Sequence, residues 1–333
     1  MSGEKPRLLI LSFSDIAHDA RVKKQVNLFA ERYRVTTCGF GDPVRDDVQH
    51  IRIEPSEPGL GNYVEAALAR LHLYSAAYRL HPRARAARKA LKGRRFDAVV
   101  ANDIDTLGVA FGVTDHARVH ADLHEYFPGL HDHSPVWVKV RKPFNEWVLR
   151  RFAIRAGSAT TVSDTIAERY ADEFGLECGV VRNAAPFFDL QPQPVGSPIR
   201  IVHSGGAQEN RRIEVMMEAV ALSDADVTLD LYLTGAGSPY VRSLEQLAER
   251  LGNRVTVHPP VPQAELVPML NSYDVGIHVL PRTNTNNALA LPNKFFDYVQ
   301  ARLAMVIGPT ADMERLLNRY ELGVVAEGYD VPQ

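Results

Sequence analysis

The stretch Leu291-Pro-Asn-Lys-Phe-Phe-Asp-Tyr-Val299, followed by Met305-Val-Ile-Gly-Pro309, indicates the fold of the second half of this chain. It predicts a short helix that carries one carboxylate, Asp297, ahead of an apolar strand near the end of an α/β sheet. Ligands of open α/β sheets bind at the carboxyl ends of the strands, where helices begin and their N–H groups face anions. Asp297 is therefore either a ribose-binding carboxylate or a solvated helix residue.

Composition places the 333-residue chain among globular proteins, with 45% hydrophobic and 23% charged residues. This length accommodates two domains of ordinary size. The two cysteines, Cys38 and Cys178, lie in separate apolar runs without metal-ligand spacing, so we expect buried free thiols and a cytoplasmic location. The apolar run Leu8–Leu11 is too short for a signal peptide, and no run reaches the roughly 18 apolar residues of a membrane-spanning helix.

Strand and helix patterns alternate along the whole chain, which is typical of parallel sheets with crossover helices. We predict an α/β protein of two Rossmann-like, doubly wound domains that face a cleft. Four prolines between Pro186 and Pro198 interrupt the alternation and predict a linker over 187–198. The predicted domains are therefore 1–186 and 199–333, and a cleft between domains is a preferred place for a ligand.

Apolar runs predict six strands in each domain. Those of the first domain are expected at Leu8–Phe13, Val35–Phe40, Ala98–Ala101, Val119–Leu123, Ala159–Val162 and Gly179–Val181. Those of the second are expected at Ile199–His203, Thr228–Leu233, Val255–Val257, Val275–Val279, Met305–Ile307 and Val324–Ala326. Helical periodicity fills the intervals, and the longest predicted helix runs from Tyr63 to Leu91.

A basic segment ends this long predicted helix. Between Arg79 and Arg95 the chain has eight Lys and Arg residues and no acidic one, next to an apolar stripe that begins at Tyr63. Two interpretations stay open: an anionic membrane surface, with peripheral binding at the inner face, or a solvated helix face. We do not predict a nucleic-acid partner, because the chain as a whole is not basic and has no recognition motif.

In the second domain, two glycine-rich turns each lie between a predicted strand and the start of a predicted helix. The first, His203-Ser-Gly-Gly-Ala-Gln-Glu-Asn-Arg-Arg212, puts Gly205 and Gly206 at a strand end and Arg211 and Arg212 near a helix start. Such glycines let a backbone approach a phosphate that an arginine neutralises. The second, Thr234-Gly-Ala-Gly-Ser-Pro239, contains Gly235 and Gly237 and is equally compatible with an ordinary tight turn.

Taken together, these stretches resemble retaining glycosyltransferases of the GT-B fold, in particular the large family 4. In the second domain the resemblance rests on Ser204-Gly-Gly206, Arg211, Glu218-Ala219, Leu233-Thr-Gly-Ala-Gly237, Arg254-Val-Thr-Val-His-Pro-Pro-Val261, Tyr273-Asp-Val-Gly-Ile-His278 and Leu291–Asp297. In the first it rests on Asp19-Ala-Arg-Val22, Asn102-Asp-Ile-Asp105, Asp122-Leu-His-Glu125 and Thr161-Val-Ser-Asp164. The resemblance covers nearly the whole chain and implies an acceptor domain followed by a nucleotide-sugar domain.

The resemblance implies transfer of a hexose-type sugar from a UDP- or GDP-sugar to an acceptor hydroxyl, with retention and with neither a metal nor another cofactor. The acceptor would be a lipid-linked precursor, a cell-surface glycan or a small molecule. The donor diphosphate would contact Arg211, Arg212, Gly205, Gly206 and Lys294. The nucleoside would contact Asp297, Val261, Gly235 and Gly237. The donor sugar would lie near Asn287, Leu289 and Ala290. His124 would be catalytic, and the acceptor side would include Asp15, Asp103 and Glu125.

The chain departs from the family pattern at three places. Leu289 stands where the family has a hexose-binding glutamate, and Gly206 stands where it has a basic residue. The chain also ends at Gln333, before the last helices of the family. Two alternatives to a transferase therefore stay open: a GT-B relative that epimerises the nucleotide sugar, and a degenerate member that binds and activates a partner transferase.

Overall fold

The computed structural model describes residues 4–54 and 59–329. The chain divides into two compact units, with the boundary between Arg182 and Asn183. Each unit is built on its own parallel sheet covered by helices.

The first unit contains seven parallel strands in the order β3-β2-β1-β4-β5-β6-β7. They are β1 (Arg7–Asp15), β2 (Arg34–Phe40), β3 (Gln49–Arg52), β4 (Ala98–Asn102), β5 (Val119–Leu123), β6 (Ser158–Thr161) and β7 (Gly179–Val180). All six predicted strands are present. The seventh strand, β3, was not predicted, because its sequence Gln-His-Ile-Arg contains only one apolar residue.

The helices of the first unit are α1 (Ala20–Phe29), α2 (Leu60–Arg70), α3 (Tyr74–Leu80), α4 (Pro82–Ala90), α5 (Leu107–Ala110), α6 (Lys142–Arg151) and α7 (Asp164–Phe174). The prediction of one long helix from Tyr63 to Leu91 is wrong, because the segment forms α2, α3 and α4. His72 adopts a positive φ of 59° between α2 and α3, and Pro82 is the first residue of α4. A proline cannot donate the backbone bond that a continuous helix needs.

The second unit contains six parallel strands in the order β10-β9-β8-β11-β12-β13. They are β8 (Ile199–Gly206), β9 (Val227–Thr234), β10 (Val255–His258), β11 (Val275–His278), β12 (Ala304–Ile307) and β13 (Gly323–Val325), as predicted to within a few residues. Its helices are α8 (Ile213–Leu222), α9 (Pro239–Leu251), α10 (Gln263–Leu270), α11 (Thr285–Ala288), α12 (Asn293–Gln300) and α13 (Ala311–Tyr320). This is the doubly wound order of Rossmann folds, and the strand order reverses between β8 and β11.

Helix α12 is fixed on the sheet by apolar packing. Phe295 and Tyr298 are buried in a core cluster that also contains Val202 of β8 and Met305 of β12. The Tyr298 ring lies directly against the β11 backbone, since a Cβ added at Gly276 would be 2.5 Å from it. The same helical face turns Lys294 and Asp297 inward, because residues three and four apart share one side of a helix.

The predicted linker 187–198 has no helix or strand and packs on the second unit. Arg302 donates hydrogen bonds to the carbonyl oxygens of Phe188 (3.2 Å) and Leu190 (3.1 Å). Asn271 Nδ2 donates to the carbonyl oxygen of Gln191 at 3.0 Å. Among the described residues, no helix is long and apolar enough to cross a membrane.

Candidate functional site

A cluster of nitrogen-bearing side chains lies in the second unit where β8 and β11 end. Lys294, on the inner face of α12, is only 7% exposed, and its Nζ is 3.2 Å from His203 Nε2. His203 Nδ1 is 2.8 Å from the carbonyl oxygen of Ile277, which assigns the ring proton to Nδ1. His203 Nε2 therefore accepts from Lys294, and the lysine is held at the end of β8 with further N–H donors to offer.

Burial controls the charge of this cluster. The pKa of Lys294 is lowered to about 7, mainly by burial and also by the charge of Arg211, while the carboxylate of Asp297 acts in the opposite direction. Burial and the nearby lysine hold the pKa values of His203 and His278 well below their ordinary range. Both imidazoles are therefore neutral near pH 7, and Lys294 is poised to gain a full charge when an anion approaches.

His278, the last residue of β11, was not identified from the sequence as a separate site residue. It is buried, its ring centroid is 5.6 Å from that of His203, and its Nδ1 has no hydrogen-bond partner among the described residues. One sequence signal could have identified His278: it is a polar residue at the end of an apolar strand, next to the point where the strand order reverses.

The two glycines at the end of β8 make room for cations. Gly205 has a φ of +136°, and a Cβ there would be 3.0 Å from Lys294 Nζ. A Cβ at Gly206 would be 3.8 Å from Arg211 Nη1, which donates to the Gly206 carbonyl oxygen at 3.4 Å. Arg212 has a φ of +48° and an exposed side chain just before α8. Lys294, Arg211, Gly205 and Gly206 thus lie together, with Arg212 at their edge.

The predicted nucleoside residues occupy three segments. Asp297 is 5% exposed, one turn after Lys294 on α12. Gly235 and Gly237 form the exposed turn after β9, with φ values of 91° and 77°. Val261 is half-buried in the loop that follows β10.

The predicted sugar-side residues lie on and just after the short helix α11. The side chain of Asn284 caps this helix by accepting from the backbone N–H of Asn287 at 2.7 Å. Asn287 Nδ2 donates to the carbonyl oxygen of Pro281 at 3.1 Å, which orients its amide. Leu289 and Ala290 follow the helix and are half-buried.

In the first unit, the buried carboxylate of Asp122 joins residues of α1 and β6. Arg21 of α1 forms a bidentate ion pair with it, with Nε 2.6 Å from Oδ2. Gln25 and Thr160 also donate to it, at 2.6 and 2.8 Å. Burial alone would raise the pKa of Asp122, but the nearby imidazole of His124 and the hydrogen bonds from Arg21 hold it well below its usual range. Neither Arg21 nor Gln25 was predicted from the sequence as an individual site residue.

His124 lies between two carboxylates just after β5. Its Nε2 is 3.4 Å from Asp122 Oδ2, and its Nδ1 is 3.5 Å from Asp103 Oδ1. Burial would lower the pKa of His124, but the two carboxylates outweigh burial and raise it. Loss of hydration raises the pKa of Asp103 to about 6, with His124 opposing this shift. The group can therefore exchange a proton near neutral pH.

Asp103 also has a strained backbone. Its φ of 66° and ψ of 163° lie in a region that normally requires glycine, and its N–H donates to the Asp122 carbonyl oxygen at 2.9 Å. Such strain clusters at functional sites. Glu125 is half-buried, and its carbonyl oxygen accepts from Tyr170 at 2.7 Å. Asp15, at the end of β1, is exposed and pairs with His18 instead of the His124 group.

Within the described residues, no group of three or more His, Cys, Asp or Glu side chains is arranged to hold a metal ion.

No protein-family model and no curated protein sequence matches this chain. Solved structures do. Sucrose-phosphate synthase from Thermosynechococcus elongatus is 12% identical, with 98% of this chain and 87% of that one covered and a TM-score of 0.70. Anabaena HepE in complex with UDP-glucose is 16% identical, with 96% and 85% covered and a TM-score of 0.63. WaaG, a glycosyltransferase involved in lipopolysaccharide biosynthesis, is 12% identical, with 97% and 87% covered and a TM-score of 0.60.

These similarities extend over almost the whole chain, and at this identity they show the fold alone. The two parallel Rossmann-like sheets, one per unit, confirm the predicted α/β class. The chain has the GT-B fold of these glycosyltransferases.

Proposed function

We propose that this protein is a retaining, metal-independent glycosyltransferase that moves a hexose-type sugar from a UDP- or GDP-sugar to an acceptor hydroxyl. The observation that carries the proposal is the buried Lys294 ammonium beside Arg211 at the glycine-lined end of β8. A buried cation at a strand end of a Rossmann-like sheet suits a diphosphate. The fold shared with HepE, whose structures hold UDP and UDP-glucose, supports the same assignment.

In this proposal the donor lies across the ends of β8, β9 and β11. Lys294 and Arg211 bind the diphosphate, with Gly205, Gly206 and Arg212 beside it. Asp297 binds the ribose hydroxyls, and the segments at Val261, Gly235 and Gly237 hold the base. The donor sugar lies near Asn287, Leu289 and Ala290. Catalysis by this set is electrostatic, because fixed cations stabilise the diphosphate as it leaves.

His124 is the proposed catalytic residue of the first unit, with Asp103, Glu125 and Asp15 on the acceptor side. The carboxylates of Asp122 and Asp103 hold its ring and favour its protonated form. In that form it can donate a hydrogen bond to an oxygen of the substrates. Retention follows from attack of the acceptor hydroxyl on the same face that the diphosphate leaves, with the leaving phosphate assisting deprotonation. No protein nucleophile is needed for this route.

The test is release of nucleoside diphosphate from a panel of UDP- and GDP-sugars, with and without acceptors. Acceptor-dependent release with retained configuration supports the proposal. Interconversion of the donor sugar without release would instead identify an epimerase. Absence of turnover with every donor, together with tight binding to another transferase, would identify an activating partner, an alternative that Leu289 favours because it cannot bond a sugar hydroxyl.

The proposed acceptor is presented at an anionic membrane surface, with the protein bound peripherally on the cytoplasmic side. Tyr63 (74% exposed) on α2 and Leu71 (68%), which caps its C-terminus, leave apolar surface. Exposed basic side chains of Arg79–Arg95 lie on and near the adjoining α3 and α4, among them Arg83 and Arg85. Apolar and basic groups on adjoining helices suit an anionic lipid surface. We expect the protein to bind anionic vesicles, and we expect this binding to weaken as the salt concentration rises. Failure to bind them at low salt would exclude the proposed membrane association.

A further inference from the structure

A cavity of about 290 Å³ lies in the first unit, and none of the site residues predicted from the sequence lines it. Its walls come from α2, the start of α4, the helical segment 137–141 and α6. Ile104 and Asp105, which directly follow the strained Asp103 in the chain, also line it. The volume is near the lower end of that of ligand pockets and suits a group of about one sugar ring.

One wall of the cavity is aromatic and held in place. It is formed by Phe127, Trp137 and Phe144. Trp137 Nε1 donates to the carbonyl oxygen of Pro128 at 3.2 Å, and Asn145 Nδ2 donates to that of Phe127 at 3.2 Å. The first bond fixes the Trp137 ring, and the second fixes the backbone that carries Phe127, before any ligand arrives. A rigid aromatic face can pack against the C–H groups of a ring at little entropic cost.

The charged side chains of the lining balance one another. The carboxylate of Glu65 is 1% exposed and accepts from both terminal nitrogens of Arg141, with Nη2 2.8 Å from Oε2. The lining also contains Asp105 and the exposed Arg83. The walls thus contribute two carboxylates and two guanidinium groups.

This balance selects among ligands. An anion such as a phosphate would meet two carboxylates, while the half-buried Arg141 is already paired with Glu65 and Arg83 is exposed to solvent. A hydrocarbon chain would remove water from polar groups, including Asn62 and Glu65, and return no hydrogen bonds. A neutral ring with hydroxyl groups can pack its C–H groups on the aromatic rings and form hydrogen bonds with the polar side chains of the lining.

We propose that this cavity binds a neutral sugar ring of the acceptor. The inference rests on the proposed glycosyltransferase function, and it names the chemical class of the acceptor at this subsite. The aromatic wall receives the C–H face of the ring, and Asn62, Glu65 and Arg141 bind its hydroxyl groups.

The two tryptophans of the chain allow a direct test. Trp147 packs against Tyr74 and Phe144 and does not line the cavity, so the Trp147→Phe variant leaves Trp137 as the only indole reporter. Methyl hexosides should change the emission of Trp137 saturably. Methyl glucuronide, inorganic phosphate and decanol should produce weaker changes or none. A response to phosphate or decanol but not to hexosides, or no response to any probe, would overturn the assignment.

Asn62→Ala, made in the Trp147→Phe protein, should raise the Kd for the hexoside about tenfold and leave the Kd for UDP unchanged. Glu65→Gln removes the charge balance without changing the size of the side chain, and it should shift the preference toward methyl glucuronide. The assignment would be overturned if the Asn62→Ala protein bound hexosides as tightly as its parent. It would also be overturned if the Glu65→Gln protein, with unchanged circular dichroism, still preferred neutral hexosides over methyl glucuronide.

The cavity and the transferase function can fail separately. Hexoside binding in a protein that neither binds nor turns over any nucleotide sugar would refute the proposed function and leave the cavity assignment standing. Turnover of a nucleotide sugar, with no hexoside response at Trp137, would refute the cavity assignment alone.

Discussion

Replacement of Lys294 by methionine separates binding from stability more sharply than any other single change. Methionine has nearly the volume of lysine but has no charge and donates no hydrogen bond. The substitution therefore keeps the packing of α12 and removes only the ammonium that His203 holds at the end of β8. The proposed diphosphate would lose at least one charge-assisted hydrogen bond.

A hydrogen bond to a charged group contributes about 1.5–3 kcal/mol. We therefore expect Lys294→Met to weaken UDP binding by about 10- to 100-fold, as measured by isothermal titration calorimetry. The pKa of about 7 in the free protein also predicts a pH dependence. Because UDP binding would restore the proton on Lys294, affinity should fall as the pH rises from 7 to 9. The variant should lose this slope.

The same substitution that weakens UDP binding should make the folded protein more stable near pH 6.5. The folded protein lowers the pKa of Lys294 from 10.5 to about 7, so the unfolded chain binds this proton more strongly. The resulting destabilisation is complete below pH 7 and disappears as the pH rises toward 10.5. It is on the order of 5 kcal/mol by linkage, and leaving His203 Nε2 unpaired costs about 1–3 kcal/mol in the variant. Lys294→Met should thus raise the free energy of unfolding by about 2–4 kcal/mol at pH 6.5 and lower it slightly near pH 10, where the unpaired His203 Nε2 is the main remaining effect.

Urea denaturation at the two pH values measures this difference, and Lys23→Met, at an exposed position of α1, is the matched control. Weaker UDP binding in a more stable protein cannot be ascribed to misfolding. An unchanged Kd for UDP would remove Lys294 from the diphosphate site. A loss of stability at pH 6.5 would refute the reasoning about its buried charge.

Three further predictions concern single substitutions. Asp297→Ala should weaken UDP binding by about 1–3 kcal/mol, because ribose hydroxyls would lose their acceptor; calorimetry showing an unchanged Kd would exclude the carboxylate from the site. His124→Ala should reduce kcat by roughly 10²- to 10³-fold, the usual contribution of one fixed hydrogen-bond donor to a developing charge, and leave UDP binding intact; kcat equal to that of the parent would refute a catalytic role. Gly276→Ala should lower the free energy of unfolding by about 1–3 kcal/mol, because its Cβ would be 2.5 Å from the Tyr298 ring. An unchanged urea midpoint would show that α12 moves away without cost.

The sequence predicted most of the fold because parallel strands buried on both faces are continuous apolar runs. Twelve of the observed strands were predicted in this way, and they include all six of the second unit. The failures have local physical causes. The polar edge strand β3 gains its place by pairing with β2 and not by its own hydrophobicity. The break between α2 and α3 depends on the positive φ of His72, which no periodicity in the sequence reveals.

The sequence by itself also identified the parts of the candidate site that lie within one segment, such as Gly205 with Arg211 and Lys294 with Asp297. Only the tertiary structure brought these segments together and added His203 and His278 to them. β8 and β11 are neighbours in the sheet although they are distant in the chain, and α12 packs across their ends. Pairing between distant strands depends on long-range packing, so the burial that lowers the pKa of Lys294 is a property of the fold and not of its local sequence.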